Sequence, residues 1–330
     1  MEIKLICGTR NFLIDKSVKD FRIDDFIIST DLNLLSKLFR TPDFMSSFGT
    51  TAFPILERFP FFLLIGDRDY YLSNPDAPTE GRLSGKKLEI LQLFIFCLWF
   101  VRDNCANTDI LYTYVPGEKI DFSLFNTVLF STATGEFIDE IFTIEDLEKA
   151  KAIYYKICEL SSTEVMRENI DFKVKDIDNK IIPGDYNFIL YNSQNPIDRA
   201  ILFLMLARSQ SCLPLKILFY IGIYESLFSI DSVEVKYKVA ERATFYIGGD
   251  FDLKYRNFNI INSAYDIRSK FVHGQLLNKN IKTKDNLIGL CEQVDSLTRV
   301  MLLKIISKDS NIFLQEEKEL KYWFNQLILK

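Results

Sequence analysis

Histidine is almost absent from this chain, since His273 is the only one among 330 residues. Imidazole is the side chain whose unperturbed pKa lies closest to neutrality, so histidine-based proton transfer has one available position. Six cysteines are scattered along the chain without a C-x-x-C pair. This argues against a zinc site and against a secreted disulfide framework. We therefore expect reduced thiols, no metal, no organic cofactor and a cytoplasmic location.

Long apolar runs are also lacking. The most apolar stretch, residues 88–101, contains Glu89 and Gln92. At about 14 residues it is shorter than the ~20 that a membrane-spanning helix needs. The first residues lack the basic flank and apolar core of a signal peptide. We expect a buried helix at 88–101 and no association with a membrane.

The chain has no excess of basic residues, because its formal net charge is −5. This argues against tight nonspecific binding to duplex nucleic acid, although a local basic cleft is compatible with it. A P-loop, a G-x-G-x-x-G turn and an H-E-x-x-H helix are missing as well. The carboxylate pairs Asp24–Asp25 and Asp67/Asp69 are either metal ligands or solvated turns. We favour turns, because no third ligand clusters with either pair.

The first half, residues 1–190, is predicted to be an α+β domain with a sensor or regulatory role. Strands are expected at 3–5, 12–14, 21–23, 26–28, 110–115 and 124–131, with a hairpin formed by 61–65 and 69–72. Helices are expected at 32–39 with Asp31 as N-cap, at 88–104, and at 144–159 after Thr143. Residues 41–60 and 73–85 are expected to be loops because they contain proline and glycine. Pro183-Gly184 and residues 192–196 indicate a linker into the second half.

The second half is predicted to be almost wholly helical. Apolar residues at three- and four-residue spacing indicate helices at 199–211, 214–230, 233–247, 255–272 and 286–307. Residues 195–307 would then form an all-α antiparallel helical bundle. The segment 311–330 is expected to form an amphipathic helix that packs on the body or on a second chain.

One stretch of the bundle carries the chemistry, Tyr265-Asp-Ile-Arg268-Ser-Lys-Phe-Val-His273-Gly274. Gly274 stands where a helix over 255–272 would end, because glycine adopts the left-handed C′ conformation without steric cost. His273 would then lie at the last turn, where the helix dipole favours a protonated imidazole.

Arg268-x4-His273 resembles the R-x(4–6)-H signature of HEPN domains, and the wider pattern Tyr-Asp-x-Arg-Ser-Lys-x-Val-His-Gly is similar to the Apea-like HEPN branch. The resemblance covers about residues 195–307. It implies an endoribonuclease that uses no metal, with Arg268 and His273 as catalytic residues shared across a homodimer. It also implies RNA with 2′,3′-cyclic phosphate and 5′-hydroxyl ends, and a role in prokaryotic antiviral defence or growth arrest. A regulatory protein partner would hold such an activity in check.

The residue chemistry agrees with this implication. Imidazole suits proton transfer, and guanidinium suits a phosphate because it donates two parallel hydrogen bonds at any biological pH. One histidine cannot serve as base and acid on opposite sides of a phosphate. Residues five apart lie about 140° around a helix, so Arg268 and His273 of one chain face different ways. Two copies of the chain in a symmetric dimer would resolve both problems.

Four further residues are candidate supporting groups, namely Glu225, Arg242, Ser269 and Lys270. Glu225 stands in an apolar run, so we expect its carboxylate to be largely buried and paired with Arg242 or Arg268. The pair either holds the bundle together or orients Arg268 toward a phosphate. Ser269 stands where active HEPN ribonucleases often carry Asn, Asp or His. Lys270 either adds phosphate affinity or is a solvated lysine.

Two other functions remain open. A catalytically silent HEPN scaffold for dimerisation and for RNA or protein binding is supported by the acidic balance and by Ser269. In that case His273 would be a capping residue that bonds carbonyls at a helix end. The third possibility is a metal-dependent nuclease in the first half, built on the carboxylate pairs.

Overall fold

The computed structural model describes residues 1–19, 21–118, 121–124, 128–160, 195–230, 233–277 and 283–329. Its contacts divide the chain into two compact units, Met1–Tyr154 and Tyr155–Lys330. The first unit contains an antiparallel sheet with helices, and the second is helical, as the sequence predicts. Most of the predicted linker, residues 183–194, lies outside the described residues.

An antiparallel six-stranded sheet organises the first unit, with strand order β3-β4-β5-β1-β6-β7. Its strands are β1 (Glu2–Arg10), β3 (Arg22–Ile23), β4 (Phe26–Ser29), β5 (Phe61–Asp67), β6 (Asn107–Tyr114) and β7 (Asp121–Leu124). A separate parallel pair joins β2 (Phe12–Ile14) to β8 (Glu140–Phe142). The central strand β1 is buried at Leu5, Ile6 and Cys7 in succession because both faces of the sheet are covered.

The α-helices of this unit, over its described residues, are α1 (Leu32–Phe39), α2 (Pro42–Phe48), α3 (Ala52–Leu56), α4 (Arg68–Leu72), α5 (Glu80–Cys97) and α6 (Ile144–Leu160), of which residues 155–160 belong to the second unit. The prediction for α1 is confirmed, and Asp31 accepts hydrogen bonds from the backbone of Asn33 and Leu34. The prediction for α6 is confirmed as well. Thr143 Oγ1 accepts from Asp146 N at 3.3 Å while Asp146 Oδ2 accepts from Thr143 N at 3.0 Å, so the two residues form a reciprocal cap.

The predicted loop at 41–60 is wrong, because α2 and α3 occupy most of it. Thr41 caps α2 and Pro42 fills its first turn, where a proline costs no hydrogen bond. Phe44 and Phe53 are buried and stabilise these short helices against the sheet. The second predicted loop, 73–85, ends early, because α5 starts at Glu80 after the N-cap Thr79.

The predicted hairpin at 61–72 is also wrong. Residues 61–67 form the single strand β5, and Asp67 caps α4 by accepting from Asp69 N and Tyr70 N. The strand expected at 124–131 is β7, which ends at Leu124, and residues 128–131 are not in a strand. Residues 125–127 lie outside the described part of the chain. Strand β8 was not predicted.

The α-helices of the second unit, over its described residues, are α7 (Pro196–Arg208), α8 (Leu213–Phe228), α9 (Val235–Ile247), α10 (Phe251–Val272), α11 (Lys284–Lys304), α12 (Ser310–Phe313) and α13 (Glu317–Leu329), and a π-helical turn at Ile305–Asp309 joins α11 to α12. Helix α8 is central because it packs against α7, α9, α10 and α11. Its residues Tyr220 and Tyr224 are fully buried. Helix α13 packs against α9 and buries Phe324, which lies against Phe228 at the end of α8. The bundle therefore holds α8 and α10 side by side.

Candidate functional site

Helix α10 carries the residues that the sequence singles out. Asp250 caps its first turn by accepting from Leu253 N at 2.9 Å. The helix ends at Val272, His273 is its C-cap, and Gly274 follows with φ of +65°. The predicted helix end is confirmed, and it follows from the left-handed conformation that glycine adopts without a Cβ clash. His273 therefore stands at the tip of α10.

Glu225 on α8 forms an ion pair with Arg268 on α10. Glu225 Oε2 lies 3.5 Å from an Arg268 terminal nitrogen, and the two side chains are 28% and 37% exposed. Glu225 is therefore mostly buried, as expected, although not completely. Its neighbours in sequence are apolar, but the carboxylate lies at the α8–α10 seam, where water still reaches it. Of the two partners considered for Glu225, the ion pair joins it to Arg268.

Tyr265 lies one turn before Arg268 and completes this cluster, although sequence reasoning did not select it as a site residue. It is 5% exposed, and its hydroxyl makes no hydrogen bond of standard geometry with any described residue. Burial raises the pKa of Tyr265, the Glu225 carboxylate raises it further, and Arg268 partly offsets both. The phenol is therefore held neutral beside the ion pair. The i, i+3 spacing to Arg268 is the signal that points to it.

Arg242 on α9 lies against the last residue of α8, Phe228. It is buried, it donates a hydrogen bond to the Phe228 carbonyl at 2.9 Å, and its guanidinium stands 5.2 Å from the centre of the Phe324 ring. Carbonyls at a helix end lack partners within the helix, so a cation there stabilises the end. Arg242 thus joins the C-terminal end of α8 to α9 and α13.

The imidazole of His273 is exposed and forms no hydrogen bond or ion pair with a described residue. Its backbone N–H donates to the Ser269 carbonyl at 3.1 Å, while Ser269 itself is exposed. The Lys270 carbonyl accepts from Gln275 N at 2.8 Å, and the Lys270 side chain is half-buried. The carbonyls at this helix end are thus bonded by backbone N–H groups, and the imidazole is left open to solvent.

These positions decide what one chain can do by itself. An arginine held by a carboxylate can bind an anion such as a phosphate, and an open imidazole can transfer a proton. Helix geometry puts Arg268 about 140° around α10 from His273. Within one chain the anion-binding group and the proton-transfer group therefore face different directions.

The carboxylate pairs of the first unit have structural partners. Asp24 accepts from the Tyr154 hydroxyl at 2.9 Å, Asp25 pairs with Lys87, and Asp67 caps α4. Over the described residues, no group of three or more His, Cys, Asp or Glu side chains could hold a metal ion. Within the described residues, the metal-dependent nuclease therefore has no group of side chains that could bind its metal.

Comparison with protein-family models, with curated proteins and with solved structures found no match to this chain. Among the described helices, none is both long enough and apolar enough to cross a bilayer.

Proposed function

We propose that this protein is a metal-independent endoribonuclease of HEPN type whose active site combines Arg268 and His273 from two copies of the chain. The observation that carries the proposal is on α10. An arginine held by a carboxylate there precedes, by five residues, an imidazole that is open to solvent and free of hydrogen bonds to the described residues. The resemblance of residues 265–274 to the HEPN signature supplies the reaction class.

The reaction needs a base, an acid and a cation. The base removes the proton of a ribose 2′-hydroxyl, and the resulting oxygen attacks the adjacent phosphorus. The bond from phosphorus to the 5′-oxygen breaks as the acid protonates that oxygen, leaving a 2′,3′-cyclic phosphate and a 5′-hydroxyl. His273 transfers the protons, with a typical gain of about 10²–10⁴-fold. Arg268 stabilises the charge that develops on the phosphate oxygens.

The dimer follows from the single histidine. A base and an acid on opposite sides of one phosphate require two imidazoles, and each chain provides one. A twofold axis between two α10 tips would bring the second His273 to the same phosphate. Phe271, Val272 and Leu276 beside the tip are 41%, 51% and 82% exposed, and a dimer would cover them.

The first unit would regulate this activity, and the resemblance suggests a role in antiviral defence or growth arrest within the cytoplasm. The second candidate function is a silent scaffold for dimerisation and for RNA or protein binding. The same exposed apolar residues around His273 favour it, together with the net charge of −5.

The test is cleavage of total RNA in EDTA by the full chain. Wild type, Arg268→Ala, His273→Ala and the control Gln326→Ala, which changes an exposed residue of α13, are compared, and the RNA ends are analysed. We expect cleavage with cyclic phosphate ends by wild type and Gln326→Ala alone. Equal cleavage by all four proteins would eliminate His273 as the catalytic group. Intact RNA in every tube, with a dimer in solution, would favour the scaffold.

A further inference from the structure

Two exposed aromatic rings lie parallel at the start of α10, far from His273. Phe251 and Tyr255 are 76% and 60% exposed. Their ring centres are 6.0 Å apart and their planes differ by 8°. Rings of this size usually turn toward a core, where each would remove a large apolar area from water. Here both rings stay exposed to solvent instead.

An open groove adjoins this aromatic pair. It has a volume of about 430 Å³ and runs between α10 and α11, and Tyr255, Arg256, Asn259 and Gln293 contribute to its lining. The groove thus offers a ring face, a guanidinium and two carboxamides. A carboxamide carries both a donor and an acceptor, which is the pairing that the edge of a nucleobase presents.

Arg256 supplies the charge. Its side chain is exposed and forms no ion pair with a described residue, although Asp252 stands one helical turn earlier. Arg256 lines the groove beside Tyr255. An arginine in this state loses no existing partner when it binds a phosphate, and its fork matches the phosphate oxygens.

The pair also has a defined position relative to His273. Eighteen residues separate Tyr255 from His273, which is five whole helical turns, so both lie on the same side of α10 about 27 Å apart. A strand that stacks on Tyr255 and follows this side of the helix would reach the imidazole.

We propose that Phe251, Tyr255, Arg256 and the groove of Asn259 and Gln293 form a subsite for single-stranded RNA, one that holds the substrate away from the cleaved bond. Proteins bind single strands by stacking bases on aromatic rings while a cation contacts the backbone. The choice of RNA as the ligand rests on the proposed function. The subsite itself goes beyond that function, because it adds an anchor for unpaired bases and predicts a preference for single strands over duplexes.

Binding is measured on the full chain in the His273→Ala background, so that RNA stays intact, by fluorescence anisotropy. The probe is a fluorescein-labelled unstructured RNA of about twelve nucleotides. We expect Tyr255→Ala to raise the Kd at least about fivefold, because it removes a ring on which a base stacks. Arg256→Gln should raise it too and lower the salt slope by about 0.7, the value for one phosphate contact on a single strand. Asp252→Asn should strengthen binding, because it removes a nearby negative charge.

The matched control is Tyr322→Ala. Tyr322 lies on α13, is 66% exposed and is not among the groove residues, so its removal should leave the Kd unchanged. Equal Kd values for Tyr255→Ala and Tyr322→Ala would overturn the proposal. It would also be overturned if the His273→Ala protein, without a further substitution, bound no RNA. A loss of self-association in Tyr255→Ala, measured by sedimentation, together with an unchanged Kd, would make the ring pair a contact between copies and overturn it as well.

The outcomes also separate this subsite from the proposed function. If wild type cleaves RNA and Tyr255→Ala leaves both Kd and KM unchanged, the subsite is rejected and the ribonuclease is retained. Binding that depends on Tyr255, in a wild type that leaves RNA intact, would reject the ribonuclease and keep the subsite.

Discussion

Glu225 Oε2 lies 3.5 Å from the Arg268 guanidinium, and both side chains keep about a third of their surface in water, at 28% and 37%. This exposure limits what the pair can contribute to stability. Partly exposed ion pairs contribute at most about 1 kcal/mol to stability. The pair therefore contributes little to the stability of the bundle. The carboxylate nevertheless restricts the directions in which the Arg268 guanidinium can point. Within the proposed function, the pair would orient Arg268 toward a phosphate, and that role is open to test.

Replacing Glu225 with Gln should affect cleavage more than stability. We expect the free energy of unfolding to change by less than about 1 kcal/mol, and kcat to fall at least tenfold as the guanidinium loses its orientation. Arg268→Lys keeps the charge without the fork and should lower kcat by about 10²-fold. Urea denaturation and RNA cleavage kinetics measure the two effects. A large loss of stability with unchanged kcat would assign the pair to the bundle alone.

The composite site predicts a specific result when variants are mixed. Wild type and His273→Ala are combined in equal amounts under conditions where subunits exchange. The rate of RNA cleavage is compared with that of wild type alone at the same total protein concentration. If each site needs a histidine from both chains, activity falls to about a quarter, because that fraction of random dimers is fully wild type. A chain that acts alone would retain about half. In the control, wild type is mixed with Arg256→Gln instead of His273→Ala. This mixture shows how far activity falls when half of the chains merely bind RNA less tightly.

The parts of the fold that the sequence predicts are those with local causes. The ends of α1, α6 and α10 depend on caps within a few residues, namely Asp31, the Thr143–Asp146 pair and Gly274. Each cap satisfies backbone groups of its own helix, so neighbouring sequence is enough to find it.

The predictions that failed depend on residues far away in sequence, or on a residue type that fits more than one local structure. Gly66 suggests a turn, yet it lies inside β5, where an added Cβ would come 2.5 Å from the Tyr71 ring. The glycine is needed for close approach of a ring. The partial exposure of Glu225 has a more distant cause, because its partner Arg268 on α10 lies 43 residues further along the chain. In the candidate site, the position of the helix and the pairing of Glu225 with an arginine were predictable, whereas the burial of Tyr265 beside that pair was not.

The contact between α7 and α8 depends on a glycine. A Cβ at Gly222 would come 2.9 Å from the Phe203 ring, whereas one at Gly289 on α11 would meet nothing within 4 Å. Gly222→Ala should therefore destabilise the protein by about 1–3 kcal/mol, because overpacking outweighs the gain in helix propensity. Gly289→Ala should stabilise it by up to about 1 kcal/mol. Urea denaturation of both variants gives the comparison, and an equal effect in the two would contradict the packing account.

Asp146 gives the first unit a pH-dependent contribution to stability. Burial acts to raise the pKa of Asp146, but hydrogen bonds from Thr143 and the Arg102 guanidinium outweigh it, so the net pKa is lowered. A carboxyl whose pKa is lower in the folded state contributes stability that is present above the unfolded pKa, near 3.9, and is lost as pH falls through the folded pKa. The contribution is therefore complete at neutral pH and lost in strong acid.

Asp146→Asn keeps the shape of the side chain and removes its charge. At pH 7 we expect a loss of about 1–2 kcal/mol in the free energy of unfolding, as for other charge-assisted helix caps. As pH falls below the unfolded pKa, near 3.9, and then through the lower folded pKa, Asp146 of wild type becomes protonated and the difference between the two proteins should shrink. Glu148→Gln, which removes an exposed charge from the same helix, should change stability by less than about 0.5 kcal/mol. Urea denaturation at several pH values tests this, and a deficit in Asp146→Asn that stays constant from pH 7 to strong acid would show that the charge on Asp146 is not its source.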